Sequence, residues 1–358
     1  MAEPSATGLE VSSPYVEALE EQRAALVTAL EPVISADDVE AAHRSSARLS
    51  VRLDASPLSD ATADAVDRGE LVVSASEVRG RDGHGWATVL RLDGMPTQDI
   101  AAVEYRGVRA AQADEAGLAA QFLAAPVTTL ERAHHHIASG LVAAERLGAL
   151  RRTSRAVHDG AQGRAIFHAP PPAQLPGLLA GLRSWIHAAR ASVSPLALAG
   201  VVHARVLHWR PFEAGNGRVG RIASRIALRA TSADPWGLSV PEHTYAADPL
   251  RYMAEVAATI RRRVDMRPWN ELTGEAIVDS FERVARGKGV TPTDVDARAL
   301  RAAGTFAPGA AVTVAAFAEV MGSDRITALI QCNRLCWAGV FRRDLGTRGL
   351  RYERQQGG

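Results

Sequence analysis

Apolar residues recur at three- and four-residue spacings over Val16 to Val33, Ile100 to Leu123 and Val127 to Leu147, the period of helices with one buried face. The same period runs through Leu175 to Arg190, Leu196 to Leu207, Val219 to Ala230 and Pro249 to Val264. Alanine, the strongest helix former, is abundant in these stretches. Alternation suited to strands is confined to Ala156 to His168, where two short runs flank Asp159-Gly160, and to the C-terminus. The pattern predicts a mostly α protein with small β elements.

Punctuation divides the chain into three regions. Residues 1–120 form an N-terminal helical region with a polar, glycine-rich interruption at Arg79 to Gly85, and residues 121–285 hold the densest motifs. A polar bridge from Arg286 to Asp296 opens the last region, residues 286–358. Within it, Val314 to Met321, the turn Gly322-Ser323-Asp324 and Arg325 to Trp337 read as a helix-turn-helix, and Phe341 to Tyr352 as a hairpin wing. Seven arginines against four acids between Val312 and Arg354 permit DNA contact. Arg325 and Asn333 are the candidate base readers, and Arg342, Arg343, Arg348 and Arg351 the candidate phosphate contacts. A winged helix used for dimerisation or packing has the same pattern, so both uses stay open.

Bulk properties exclude some classes. A net charge of +1, with 47% hydrophobic and 23% charged residues, fits a soluble protein whose charge is arranged locally. Cys332 and Cys336 are too few for a disulfide framework and match no metal spacing. Met1 to Val11 has no signal-peptide pattern, and runs such as Leu196 to Val202 are too short to span a bilayer. The expectation is a cytoplasmic protein with no membrane partner. His134-His135-His136 is not a metal site on one helix, because consecutive residues point about 100° apart.

The chemistry concentrates in His208-Trp209-Arg210-Pro211-Phe212-Glu213-Ala214-Gly215-Asn216-Gly217-Arg218-Val219-Gly220-Arg221. Two glycines bracket an asparagine where a helix begins, so backbone N–H groups and the helix dipole can converge on an anion. Arg218 and Arg221 share a face of that helix. A capped helix with solvated arginines would account for a lone Gly-x-Gly, but not for Gly-Asn-Gly-Arg followed by Arg221. The segment reads as a polyphosphate nest built from Gly215, Asn216, Gly217, Arg218 and Arg221.

This string resembles the signature of the Fic (Fido) family, His-Pro-Phe-x-(Asp/Glu)-Gly-Asn-Gly-Arg-x-x-Arg. The resemblance implies a helical Fic core with the protein adenylyltransferase fold and a β-hairpin flap at Ala156 to His168 that positions a target protein. It also implies ATP or another nucleotide as ligand, and transfer of AMP to a target hydroxyl, with Mg²⁺ bridging the phosphates. Two departures matter. Arg210 stands where the family has its histidine base, and arginine stays protonated at any ordinary pH. Ala214 stands where the family has its metal-binding acid. The leading expectation is therefore a catalytically degenerate Fic protein that acts by binding, in the role of a DNA-associated regulator. The alternative is an active adenylyltransferase with His208 as base and Glu213 holding Mg²⁺. Many family members also carry a restraining helix with (Ser/Thr)-x-x-x-Glu-(Gly/Asn), whose glutamate pairs with the motif's last arginine. The matching place reads as Ala75 to Gly80, with Ala75 and Arg79 replacing the two key residues, although a chance match there stays open. A second copy of the chain is a further candidate partner.

Overall fold

Capping chemistry sets most helix starts. Ser13 accepts from Val16 N ahead of Pro14, and α1 runs Pro14–Leu30. Ser35 and Asp38 form a capping box on α2 (Ala36–Leu53), and Ser59 caps α3 (Asp60–Asp67). The expected helix over Ile100 to Leu123 is divided at Asp114 into α4 (Thr97–Ala113) and α5 (Glu115–Phe122). The next, α6 (Pro126–Ala138), stops well before Leu147 because Ser139 leaves helical geometry and Gly140 follows at φ +83°.

The expected hairpin forms from β1 (Ala156–His158) and β2 (Ala165–His168), antiparallel with Ala156 opposite His168. Then come α7 (Leu175–Ala189), α8 (Pro195–Trp209), α9 (Asn216–Ala230), α10 (Glu242–Ala247), α11 (Pro249–Arg262) and α12 (Arg267–Gly287). The C-terminal region holds α13 (Ala297–Ala303), β3 (Ala311–Thr313), α14 (Val314–Met321), α15 (Arg325–Trp337), β4 (Phe341–Asp344) and β5 (Arg351–Arg354). Its strands make an antiparallel sheet in the order β3-β5-β4. This computed structural model describes residues 8–71, 97–158, 165–262, 264–290, 295–344 and 351–356. The segment Ala75 to Gly80, the hairpin tip at Asp159-Gly160 and Arg348 lie outside the described residues.

The centre is α8, buried at every residue from Leu196 to Trp209. A helix apolar all round must be wrapped on all sides, and α9, α12, α11 and α7 do so. Gly200 permits the closest approach. A Cβ there would lie 2.3 Å from Asn270 Oδ1, and Trp269 Nε1 donates to the Gly200 carbonyl at 2.7 Å.

One apolar cluster runs from Val11 to Ala285 without a break near residue 120, because α1 packs on α12 and α2 packs on α4. A second, smaller cluster, Ala299 to Tyr352, belongs to the C-terminal region. Leu329 on α15 packs against both. The chain is thus a mostly α fold with small sheets.

Candidate functional site

The loop between α8 and α9 is shaped by its own side chains. α8 ends at Arg210, whose left-handed backbone (φ 44°, ψ 61°) turns the chain out of the helix ahead of Pro211. Gly215 (φ +69°) makes the opposite turn into α9. Between them the Asn216 amide closes the loop: Phe212 N donates to Oδ1 at 3.0 Å, and Nδ2 donates to the Phe212 carbonyl at 2.8 Å. Asn216 therefore shapes the nest through its side-chain amide. Behind the loop, the His134 ring stacks on Phe212 at 4.2 Å while its Nδ1 accepts from Gly148 N. His136 pairs with Asp114, and the described residues contain no metal-type cluster.

The sequence brings Gly215, Gly217, Arg218 and Arg221 together as expected, and the structure adds a residue that sequence reasoning missed. Asp54, at the C-terminal end of α2, reaches into the nest. Arg221 Nη2 donates to Asp54 Oδ1 at 2.8 Å, and Arg218 Nε lies 3.2 Å from Oδ2. Arg221 also donates to Ser50 through Nε to Oγ (2.7 Å) and Nη2 to the carbonyl (2.6 Å). On its other side Arg218 Nη2 pairs with the fully buried Glu104 at 2.8 Å. Gly217 makes room for the carboxylate: a Cβ there would stand 2.3 Å from Asp54 Oδ1.

A carboxylate at the C-terminal end of its own helix opposes that helix's dipole. Here it is compensated by the N-terminal end of α9 and by two guanidiniums. Burial pushes the Asp54 carboxyl upward, but Arg221 and Arg218 outweigh it and hold it below the usual range. Burial likewise opposes the charge on Arg221, and Asp54 more than restores it. The signal was present in the sequence. Ser50-Val51-Arg52-Leu53-Asp54-Ala55 repeats the spacing of the restraining motif with Asp for Glu, and Ala55 has the positive φ (62°) that a glycine or asparagine would favour.

Glu213 is occupied elsewhere. Arg146 Nη2 (2.7 Å) and Arg155 Nη2 (2.8 Å) bind its two oxygens, and Arg152 N (3.2 Å) and Thr153 Oγ1 (3.4 Å) also donate to it. This cluster, with buried Arg151 donating to the carbonyls of Arg210, Trp209, Thr153 and Pro170, fastens the hairpin base to the loop. His208 meets Phe167 on β2 edge-on at 5.9 Å, and burial, with Arg205 beside it, pushes its imidazole down to about 4. Arg210 is enclosed among Asp54, Arg155, Tyr252 and Arg221, and its Nε has no hydrogen-bond partner among the described residues.

A Mg²⁺ ion would need oxygen ligands free to face it. The carboxylates around this loop, Asp54, Glu104 and Glu213, are each paired with arginine, and residue 214 is alanine. The donor set does not fit the ion.

Two of the DNA-contact expectations for the C-terminal region are corrected. Asn333 is 1% exposed: its Nδ2 donates to Tyr15 Oη on α1 (3.1 Å), and its Oδ1 accepts from Arg343 Nη2 (2.6 Å) and Tyr352 Oη (2.8 Å). Tyr15 in turn donates to Glu275 on α12 at 2.8 Å. Asn333 and Arg343 thus join this region to the helical core and are not placed to read DNA. Their polar groups are consumed by a buried network that sequence spacing could not reveal. Arg325, Arg342 and Arg351 are exposed, Arg342 beside Glu353.

Comparison with known proteins agrees with this geometry. The Fic/DOC family model matches residues 125–228, which include α6, the hairpin, the loop and most of α9. A Fic family protein from Desulfovibrio desulfuricans G20 superposes with a TM-score of 0.61 at 18% identity, over 97% of this chain and 98% of that one. Fic-1 from C. elegans gives 0.52 at 15% identity, over 77% and 72%. A Fic domain containing signaling protein from Bacteroides thetaiotaomicron VPI-5482 gives 0.50 at 13%, over 77% and 98%. No curated protein matches the chain. Among the described residues no helix is long and apolar enough to cross a membrane. With the signature loop, the helical scaffold and the family match in agreement, the chain contains a Fic/DOC family domain over residues 125–228.

Proposed function

We propose that this Fic domain protein works by binding: the nest at the start of α9 takes a phosphate-bearing nucleotide, ATP or another, and Asp54 is a built-in occupant that the ligand displaces. One observation carries this reading. A carboxylate, the chain's own anion, sits in the Gly217 cradle on both Arg218 and Arg221. Phosphate oxygens have the charge and acceptor geometry to replace it. Adenylyl transfer is not included, because Arg210 cannot accept a proton and Glu213 is bound to Arg146 and Arg155. Calorimetric titration with ATP, ADP, CTP and GTP tests it. Binding weakened roughly tenfold or more in Arg218→Gln is expected; no binding of any of the four at millimolar concentration would make the nest a structural feature only.

A second reading concerns the C-terminal region. The order α13-β3-α14-α15-β4-β5 with sheet order β3-β5-β4 supports reading it as a winged helix-turn-helix. Exposed Arg325 at the start of α15, with Arg342 and Arg351 on the strands, supports DNA contact in the cytoplasm and a regulator's role. A mobility-shift assay over a salt series decides it. Affinity falling steeply with salt, with a shallower slope in Arg351→Ala, supports DNA binding, whereas no shift removes the regulator role.

A further inference from the structure

The charged groups around the nest are unevenly satisfied. Each carboxylate is already bound to a guanidinium: Asp54 to Arg218 and Arg221, Glu104 to Arg218, and Glu213 to Arg146 and Arg155. The guanidiniums keep unused donors. Arg218, with a side chain only 4% exposed, has a buried Nη1 that makes no hydrogen bond among the described residues, and so does Arg210 Nε. Arg218 is aimed at the glycine turn, its Nη2 lying 3.7 Å from where a Gly215 Cβ would be.

We infer that the ligand is a diphosphate or longer polyphosphate taken without a divalent metal ion, with Arg210, Arg218 and Arg221 supplying the charge that a metal would otherwise bring. This rests on the anion-site reading above and goes beyond it by excluding the metal complex. Three guanidiniums face two carboxylates, Asp54 and Glu104, so withdrawal of Asp54 leaves a surplus of two positive charges. The terminal phosphate of a bare diphosphate alone carries about 1.5 to 2 negative charges, so the ligand offsets that surplus without a metal ion. A ligand arriving with Mg²⁺ would add two positive charges beside the arginines, in a buried site where like-charge repulsion is poorly screened and no carboxylate is free to hold the ion. Arginine suits the task, since its planar fork binds phosphate oxygens in pairs and stays charged.

The test is calorimetric titration of the full-length chain with ADP, first in EDTA and then in excess MgCl₂. Binding in EDTA is expected, weakened about tenfold by Mg²⁺ as the free nucleotide is sequestered. Arg210→Met should weaken binding in EDTA by roughly tenfold while leaving the far-ultraviolet dichroism unchanged. Equal or tighter binding with Mg²⁺ would overturn the inference and leave the anion site standing. Binding in neither medium would remove the anion site itself. The comparison of the two media on the unaltered chain holds even if Arg210→Met fails to fold.

Discussion

Replacing Gly217 with alanine probes the seat of Asp54 directly. The new Cβ would lie 2.3 Å from Asp54 Oδ1 and 3.1 Å from its Cγ. Restoring ordinary contact requires the carboxylate to retreat by about 1 Å, which breaks the 2.8 Å bond from Arg221. Losing one charge-assisted hydrogen bond costs ~1.5–3 kcal/mol, while alanine over glycine inside a helix returns ~1 kcal/mol. Gly217→Ala should therefore destabilise by about 0.5–2 kcal/mol. With Asp54→Ala already present the clash is gone, and Gly217→Ala should stabilise by about 0.5–1 kcal/mol. The coupling of roughly 2 kcal/mol can be read from urea unfolding of the four proteins, followed by the fluorescence of core residues Trp185, Trp209 and Trp269. An identical cost of Gly217→Ala in both backgrounds would refute the placement of Asp54.

Three more outcomes follow from the geometry. Burial holds the imidazoles of His43, His134 and His203 down to about 3 and that of His208 to about 4. Their folded pKa values lie below the unfolded one, so each withdraws up to ~1.4 kcal/mol of stability per pH unit as pH falls below about 6.5; a melting temperature that stays constant from pH 7 to pH 5 would contradict this. Tyr15→Phe leaves Asn333 Nδ2 and Glu275 Oε1 without their shared hydroxyl. It should cost ~1–3 kcal/mol and speed proteolytic release of the C-terminal region, and an unchanged cleavage rate would count against the network as the joint. With labelled ATP and Mg²⁺ the unmodified chain should transfer no AMP, and Arg210→His with Ala214→Asp should gain more activity than either change alone; strong labelling lost in His208→Ala would restore the enzyme reading.

The helical period and the Gly-Asn-Gly-Arg string made the scaffold and the nest legible in advance, because both are local properties of the chain. What stayed hidden depended on distant partners. Asp54 and Arg221 are 167 residues apart, and Asn333 and Tyr15 are 318 apart. An exposed-looking polar residue on a helix, such as Asn333, carries no mark of the tyrosine that buries it. Ser50 to Ala55 did carry a mark, the spacing of the restraining motif. The shorter acid and the alanine in a left-handed turn disguised it, while a weaker match at Ala75 to Gly80 competed with it. Glu213 looked available to a metal because Arg146 and Arg155 reach it from a segment whose fold brings them there.

The measurement closest to the central claim is the affinity of ADP for the unmodified chain and for Asp54→Ala, titrated side by side in EDTA. If Asp54 occupies the nest as an internal anion, removing it frees two guanidiniums that the nucleotide otherwise has to win from it, and binding should tighten by about tenfold or more. Equal or weaker binding in Asp54→Ala would show that the carboxylate and the nucleotide do not compete for Arg218 and Arg221, and the account of the site would fail.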